Sequence, residues 1–181
     1  MMRFGALDFV PVDDHFNLVA PPVAAFLKTI DSSNLYVAEI DAKLSDTAAF
    51  CQEYQITLEQ AANCVVLEAK RGERKWFAAC VILGSTRADV NGVVRRFLDA
   101  RRVSFAPMEE AVKETEMEHG AITPVGLPVA PDGGWPILID SSVAACDAVI
   151  IGSGIRGSKL LVPGSFLASL PNASAIEHLA R

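Results

Sequence analysis

Residues 120 to 157 hold two glycine-bearing turns on either side of a short apolar strand, and this pattern constrains the fold more than any other part of the chain. The first turn begins at Gly120, the strand ends in Asp140, and the second turn contains Gly152 and Gly154. Glycine lets a ligand approach backbone N–H groups closely. The two turns therefore predict a pocket that is lined mainly by backbone and suits a small polar group.

The composition describes a globular protein. The chain has 181 residues, of which 51% are hydrophobic, and its net charge is −6. This length fits one domain with a buried core, and the apolar content excludes a disordered chain. No apolar run reaches the roughly 20 residues of a membrane helix, and the start lacks the features of a secretory signal. We therefore expect a cytoplasmic protein without a membrane partner.

The cysteines and histidines form no pattern typical of metal or redox chemistry. The four cysteines include no Cys-x-x-Cys pair, and the three histidines are scattered along the chain. Small buried thiols in a reduced protein are the better interpretation. We expect no metal site.

Strand-like and helical segments alternate without regular βαβ units. A hairpin is predicted at 64–83, and Asp89 is expected to cap a helix whose apolar face consists of Val90, Val93, Val94, Phe97 and Leu98. Residues 1–17 show no clear period and are predicted to form an irregular arm. Together these features predict an α+β fold with a mixed or largely antiparallel sheet, in which an arm and helix at 1–34 join one globular unit at 35–181.

The segment 152–157 has the letters of the dinucleotide-binding fingerprint Gly-x-Gly-x-x-Gly, but its context differs. That fingerprint requires a following helix, and here a strand-like run begins at Ser158. Ser158 also stands where a P-loop would need its lysine. We interpret the segment as a hairpin turn, on which Ser153 and Arg156 face either a ligand or water.

Asp140 ends an apolar strand, where the rim of a sheet often holds a binding site. The alternative is that its carboxylate caps the turn at Ser141 and Ser142. The sequence holds no nucleophile elbow and no local Ser-His-Asp or Cys-His pair, so a conventional hydrolase triad is not predicted.

Five short stretches, in this order along the chain, together resemble one known family. They are 63–66, 88–91, 120–126, 139–142 and 152–157. In this order they resemble the YbaK/prolyl-tRNA-editing-domain superfamily of free-standing aminoacyl-tRNA deacylases, over roughly residue 35 to the C-terminus. The resemblance implies one α+β domain with a mixed, barrel-like sheet flanked by helices. It implies hydrolysis of the ester that joins a wrong amino acid to the tRNA 3′ end, without a metal or a redox cofactor.

The sequence departs from this family at Asn63. Members commonly have a lysine there, before a small hydroxyl residue, whereas this chain has Asn63 and Cys64. A lysine would present a cation to the substrate, but asparagine offers one donor group and one acceptor without charge. Lys70 lies roughly 20 Å further along the strand and cannot take over this role. The first turn of family members usually has two adjacent glycines, whereas this chain has Gly120 and Ala121 there.

Two hypotheses from different classes follow. The first is a deacylase acting in trans on the aminoacyl 3′ end of mischarged tRNA, with an aminoacyl-tRNA synthetase as a further partner. The second is a non-catalytic binding module for an aminoacyl ester, a nucleotide or a partner protein, which the replacement of the lysine motivates.

The first hypothesis assigns three groups of residues. Its catalytic residues are Asn63, Gly120, Ala121 and Asp140. Its substrate-binding residues are Cys64, Ile122, Thr123, Pro124, Gly126, Ser153, Gly154 and Arg156. Its candidates for tRNA backbone contacts are Lys70, Arg71, Arg95, Arg96, Arg101 and Arg102. An ordinary solvated surface is an equally good interpretation of this basic segment. Backbone N–H groups near Gly120 would stabilise an oxyanion, Asp140 would bind the amino group, and water would be the nucleophile.

Overall fold

The computed structural model describes residues 1–128 and 133–181, which form ten strands and six α-helices. The strands are β1 (Met2–Phe4), β2 (Leu7–Pro11), β3 (Tyr36–Glu39), β4 (Ala62–Arg71), β5 (Arg74–Leu83), β6 (Arg102–Phe105), β7 (Ile137–Asp140), β8 (Val149–Gly152), β9 (Ser158–Val162) and β10 (Ala173–Ile176). The α-helices are α1 (Pro21–Leu27), α2 (Thr47–Tyr54), α3 (Arg95–Phe97), α4 (Met108–Thr115), α5 (Ser141–Ala144) and α6 (Gly164–Ala168). Single 3₁₀ turns lie at Val12–Asp14, Phe16–Leu18, Ala42–Leu44 and Leu58–Gln60.

The strands form two five-stranded sheets that meet along one side. Their orders are β1-β2-β3-β9-β8 and β10-β7-β5-β4-β6. Strand β7 pairs in parallel with β5 and β10, whereas the other pairs are antiparallel. A parallel bridge between Ala61 and Ile150 joins the sheets beside the start of β4. The result is a curled, barrel-like mixed sheet flanked by helices, which confirms the predicted α+β fold.

The long β4–β5 hairpin is buried on both faces because alternate side chains enter two different cores. Val66 and Val81 point into the main core inside the curled sheet. Leu67 and Cys80 point the other way, into a second core that also contains Val94. Alternation with a period of two accounts for both sets of contacts. Full burial of a side chain such as Leu67 stabilises the fold by about 1.5–3 kcal/mol.

The N-terminal segment forms a hairpin where an irregular arm was predicted. Strands β1 and β2 pair antiparallel, and β2 pairs with β3, so the segment extends the first sheet. Leu7 and Phe9 are buried in a third cluster, and Gly5 adopts φ +58° in the turn. The strands have only three and five residues, too few for their alternation to stand out in the sequence.

The helix predicted after Asp89 begins as predicted but has a wider first turn. The Asp89 carboxylate accepts from the N–H of Gly92 at 3.0 Å, which confirms the cap. Residues Val90–Val94 then form a π-helix before the short α3. The wide turn alters the 3.6-residue spacing, so Phe97, predicted on the buried face, is 47% exposed.

Two short elements, α5 and β10, were not predicted. Each has only four residues, and β10 follows from its parallel pairing with β7 rather than from a local period. Across the two described ranges, no helix has the length and hydropathy needed to span a membrane.

Candidate functional site

A cavity of about 550 Å³ opens where the two sheets meet. Its wall is built from the start of β4, the end of β8, the start of β9, the loop before α2 and the turn that follows α4. Five of the predicted site residues line it: Asn63, Cys64, Gly120, Ile122 and Arg156. These residues come from three distant parts of the sequence, and the fold brings them together at one cavity.

The loop before α2 connects the parts of this site. The hydroxyl of Ser45 donates to the carbonyl oxygen of Gly120 at 3.2 Å, and the carbonyl oxygen of Ser45 accepts from the amine of Lys159 at 3.0 Å. Two residues on, the hydroxyl of Thr47 donates to Oδ1 of Asn63 at 2.6 Å. Asp46 holds the loop in place, since its carboxylate caps α2. The loop therefore sets the relative positions of the turn, the amine and the amide.

Asn63 offers its amide nitrogen to the cavity. Its oxygen already accepts from Thr47, which fixes the orientation of the amide plane. The side chain is half-buried and lines the cavity beside Cys64. Asn63 can therefore donate a hydrogen bond to a bound group, but it supplies no charge.

Lys159 supplies a charge to the cavity and was not predicted as a site residue. It lies in β9, every residue of which is buried, and is itself 7% exposed. Its Nζ lies 5.2 Å from the centre of the Phe50 ring. Burial lowers the pKa of Lys159 to about 8, because desolvation disfavours the ammonium form. The sequence feature that could have indicated Lys159 is a lysine inside an apolar strand, since lysine is rarely buried without a partner or a function.

The two glycine turns pack directly against each other. The N–H of Gly154 donates to the carbonyl oxygen of Ala121 at 2.9 Å, and the N–H of Glu118 donates to the carbonyl oxygen of Gly154 at 2.8 Å. A Cβ on Gly152 would lie 2.5 Å from the oxygen of Ala121, so only glycine permits this approach. Gly120, which lines the cavity, adopts φ +77°.

Ala121, a predicted catalytic residue, is held by hydrogen bonds within the first turn. Its N–H donates to the carbonyl oxygen of Glu118 at 3.0 Å, and the residue is buried behind the cavity wall. The N–H groups of Gly120 and Ile122 differ, because within residues 1–128 and 133–181 neither has a hydrogen-bond acceptor. These two groups, rather than that of Ala121, are available to a bound oxygen.

Asp140, also a predicted catalytic residue, has hydrogen-bond partners on both of its carboxylate oxygens. Its Oδ1 accepts from the N–H of Ser142 at 2.9 Å and from the hydroxyl of the same residue, and its Oδ2 accepts from the N–H of Ala180 at 2.9 Å. Asp140 does not line the cavity, and the carboxylate caps α5 and holds the C-terminal segment. The capping alternative is therefore the one observed.

Ser153 and Gly154 also lie behind the cavity wall. The hydroxyl of Ser153 is within 2.7 Å of that of Ser158 and donates to the carbonyl oxygen of Ile155 at 3.0 Å. Gly154 adopts φ +86°, and a Cβ there would lie 2.4 Å from Ala20. Both residues hold the second turn in shape, and neither contacts the cavity.

The residues after the first turn face α1 instead of the cavity. A Cβ on Gly126 would lie 2.5 Å from the carbonyl oxygen of Pro22. Thr123 and Pro124 are buried, and the hydroxyl of Thr123 has no partner among the described residues. Thr123, Pro124 and Gly126, which were predicted to contact the substrate, thus lie outside the cavity lining.

Arg156 braces the rim of the cavity. Its guanidinium donates to the carbonyl oxygen of Ala42 at 3.0 Å and to that of His119 at 3.3 Å. A Cβ on Gly120 would lie 2.8 Å from this guanidinium, so the side chain packs against the glycine turn. Arg156 therefore lines the cavity while its side chain stays partly exposed, and two of its donors are already in use.

Cys64 is not a thiolate nucleophile. Burial raises the pKa of its thiol well above the usual value, with a smaller contribution from Cys80. The thiol is therefore protonated at neutral pH and contributes an apolar surface to the cavity.

The predicted tRNA contacts are exposed and cluster towards one end of the β4–β6 edge. Lys70 pairs with Arg102 across the two strands, and the amine of Lys70 lies 2.6 Å from Glu68. Arg71 forms an ion pair with Asp99. In the part of the chain that the structure describes, no ion pair involves Arg95, Arg96, Arg101 or Arg102.

Comparison with solved structures supports the fold. The chain matches the crystal structure of a protein described as "a putative trans-editing enzyme for prolyl tRNA synthetase" with a TM-score of 0.72 and 20% identity, over 88% of this chain and 97% of that chain. It matches a protein described as hypothetical with a TM-score of 0.74 and 17% identity, over 88% and 99% of the two chains. At these identities the likeness establishes the fold alone. No curated protein sequence matches this chain.

A family profile identifies the chain more directly. The profile of the aminoacyl-tRNA editing domain matches residues 41–169, which is more than half of the chain. The matched range includes β4, both glycine turns and β9, so it covers every strand that lines the cavity. The chain belongs to the aminoacyl-tRNA editing domain family.

Proposed function

We propose that this protein hydrolyses the ester of a mischarged aminoacyl-tRNA in trans, with the aminoacyl 3′ end bound in the cavity. One observation carries the proposal: Asn63, Gly120 and Ile122 line the same cavity, and the N–H groups of Gly120 and Ile122 have no acceptor among the described residues. Donors grouped in this way suit an ester carbonyl whose oxygen gains negative charge during hydrolysis. The family match supports the same substrate class.

The proposed reaction is the attack of water on the ester carbonyl carbon. A bond forms between the water oxygen and this carbon, and the bond from the carbon to the ribose oxygen breaks. The proton lost by water ends on the ribose oxygen, so the products are a free amino acid and a tRNA with its terminal hydroxyl restored. The N–H groups near Gly120 would stabilise the tetrahedral intermediate, and Asn63 would hold the polar end of the substrate.

The rim of the cavity offers a surface for the terminal base. Phe105 and Met108 line the cavity yet are 67% and 47% exposed. Stacking of a nucleobase on an aromatic side chain is worth about 1–3 kcal/mol. Three residues back along β6, roughly 10 Å away, Arg102 and its neighbour Arg101 are exposed for phosphate contacts. The acceptor end of a tRNA would thus follow the β6 edge into the cavity.

The proposed partner is mischarged tRNA, with an aminoacyl-tRNA synthetase as a second partner. The solved relative described as a trans-editing enzyme for prolyl tRNA synthetase supports this second partner. Both partners act in translation, so we infer that the protein works in the cytoplasm.

A panel of mischarged tRNAs tests the proposal. Amino acid release is measured with wild type, Asn63→Ala and the control Asn34→Ala, whose side chain is exposed away from the cavity. The proposal expects release above the spontaneous rate for at least one tRNA, reduced about 10-fold or more in Asn63→Ala and unchanged in Asn34→Ala. Tight binding of these tRNAs without release would instead identify a non-catalytic binding module and overturn the proposal.

A further inference from the structure

Lys159 places a buried amine in the wall of the cavity without an acidic partner. Within the described residues it forms no salt bridge, and its hydrogen bond goes to a neutral acceptor, the carbonyl oxygen of Ser45. An ammonium group has three donors, so this bond leaves two of them for other partners.

Such an arrangement destabilises the protein, so a functional role of the charge is the better explanation for its presence. Burying an ammonium without a carboxylate costs several kcal/mol, and a methionine of similar length would fill the same space without that cost. The ring of Phe50, 5.2 Å from Nζ, offsets part of the cost through its electron-rich face. Position 159 therefore holds a residue that packing alone does not favour.

We propose that Lys159 is the catalytic cation of this site, and that its ammonium group donates a hydrogen bond to the ester carbonyl oxygen of the bound substrate. This role rests on the proposed deacylase function and deepens it. Lys159 keeps its proton throughout, and it stabilises the negative charge that develops on the carbonyl oxygen when water attacks. Asn63, which has no charge, positions the same substrate from β4.

The groups around Lys159 determine how this role depends on pH. Burial, the largest effect, and Arg156 from the second glycine turn disfavour the charged amine, whereas Cys51 from α2, in its thiolate form, and Asp46 from the preceding loop favour it. Because the pKa of Lys159 is lowered to about 8, the ammonium form predominates at neutral pH and is lost above pH 8. His119 also lines the cavity, and it is present in wild type and in every variant at position 159.

The test compares wild type with Lys159→Met and Lys159→Arg on a mischarged tRNA that the wild type hydrolyses. Lys28→Met is the matched control, since it also removes an amine 5.2 Å from a phenylalanine ring, that of Phe16, away from the cavity. We expect Lys159→Met to lower kcat/KM by about 100-fold and Lys28→Met to leave it unchanged. Thermal unfolding of each variant checks that it is folded.

The pH profile separates a catalytic cation from a structural residue. After subtraction of spontaneous hydrolysis, the ratio of wild-type to Lys159→Met activity is expected to be constant near pH 7 and to fall above pH 8. Activity retained by Lys159→Arg is expected to persist above pH 8, because arginine stays protonated.

Three results would overturn the inference while the deacylase function stands. They are unchanged kcat/KM in folded Lys159→Met, a ratio that does not vary with pH, and a ratio that rises above pH 8. The last would indicate a neutral amine acting as a base. If the wild type releases no amino acid from any tRNA, the proposed function itself fails, and Lys159 has no such role.

Discussion

The amine of Lys159 donates a hydrogen bond to the carbonyl oxygen of Ser45 at 3.0 Å, and this contact ties β9 to the loop that also positions Asn63. The loop thus holds a charged donor and a neutral donor at the same cavity. The family resemblance predicts a cation at position 63, on β4, where this chain has an asparagine. The structure has one on β9 instead, which makes the loss of the β4 lysine compatible with catalysis.

The stability of the protein should depend on pH through Lys159. The pKa of this amine is about 8 in the folded protein and 10.5 in the unfolded chain, so between these values the unfolded state binds more protons. The penalty for burying the charge is fully present below pH 8 and is relieved as the pH rises towards 10.5. Across this window the free energy of unfolding of the wild type should rise by about 3 kcal/mol relative to that of Lys159→Met.

Urea unfolding of both proteins near pH 7 and near pH 10 measures this difference. Use of the difference cancels the titration of the other lysines and of the tyrosines. A free energy difference between the two proteins that stays constant with pH would show that Lys159 is not held in a desolvated site.

Moving the cation back to β4 should restore activity that Lys159→Met loses. Positions 63 and 159 line the same cavity, so a lysine at 63 can reach the same bound carbonyl. We expect Asn63→Lys combined with Lys159→Met to recover at least 10-fold of the roughly 100-fold loss expected for Lys159→Met alone. Asn63→Lys by itself should not increase turnover, because two ammonium groups in one cavity repel each other. Single-turnover rates of the four proteins provide the comparison, and a double variant no faster than Lys159→Met would argue against a shared role.

Asp140→Ala should affect stability and not catalysis. The variant removes the cap of α5 and leaves the N–H of Ala180 without its acceptor, which should lower the free energy of unfolding by about 1–3 kcal/mol. Because Asp140 is outside the cavity, kcat/KM below the unfolding transition should match that of wild type. The control is Asp147→Ala, which removes an exposed acid and should change neither quantity. A large fall in kcat/KM for a stable Asp140→Ala variant would show that Asp140 takes part in catalysis.

The exposed arginines beside β6 should contribute to tRNA affinity through phosphate contacts. Arg102→Gln should weaken binding and lower the slope of log affinity against log salt by about 1. Arg3→Gln removes an equally exposed arginine from β1, at the far edge of the other sheet, and should leave the slope unchanged. Filter binding of tRNA over a range of salt concentrations measures both, and equal slopes for the two variants would place the RNA elsewhere.

Much of the fold was predictable because its signals are local. The Asp89 cap and the long β4–β5 hairpin both depend on neighbouring residues, and both are present. The hairpin of β1 and β2 was missed, since two very short strands show little alternation.

The site was predictable only in part because its contacts are non-local. The resemblance indicated Asn63 and the Gly120 turn, and both line the cavity. Asp140 stands at a strand end, where a cap and a ligand contact look alike in sequence. Lys159 reaches the cavity through a pairing of β9 with β3 and β8 and a contact with Ser45, 114 residues away, which no local pattern contains.

The proposed deacylase function is tested most directly by the release of amino acid from mischarged tRNA by the wild-type protein, with enzyme in excess so that one turnover is observed. We expect release faster than spontaneous hydrolysis for at least one mischarged tRNA. Release at the spontaneous rate for every tRNA in the panel, including those that the protein binds, would contradict it.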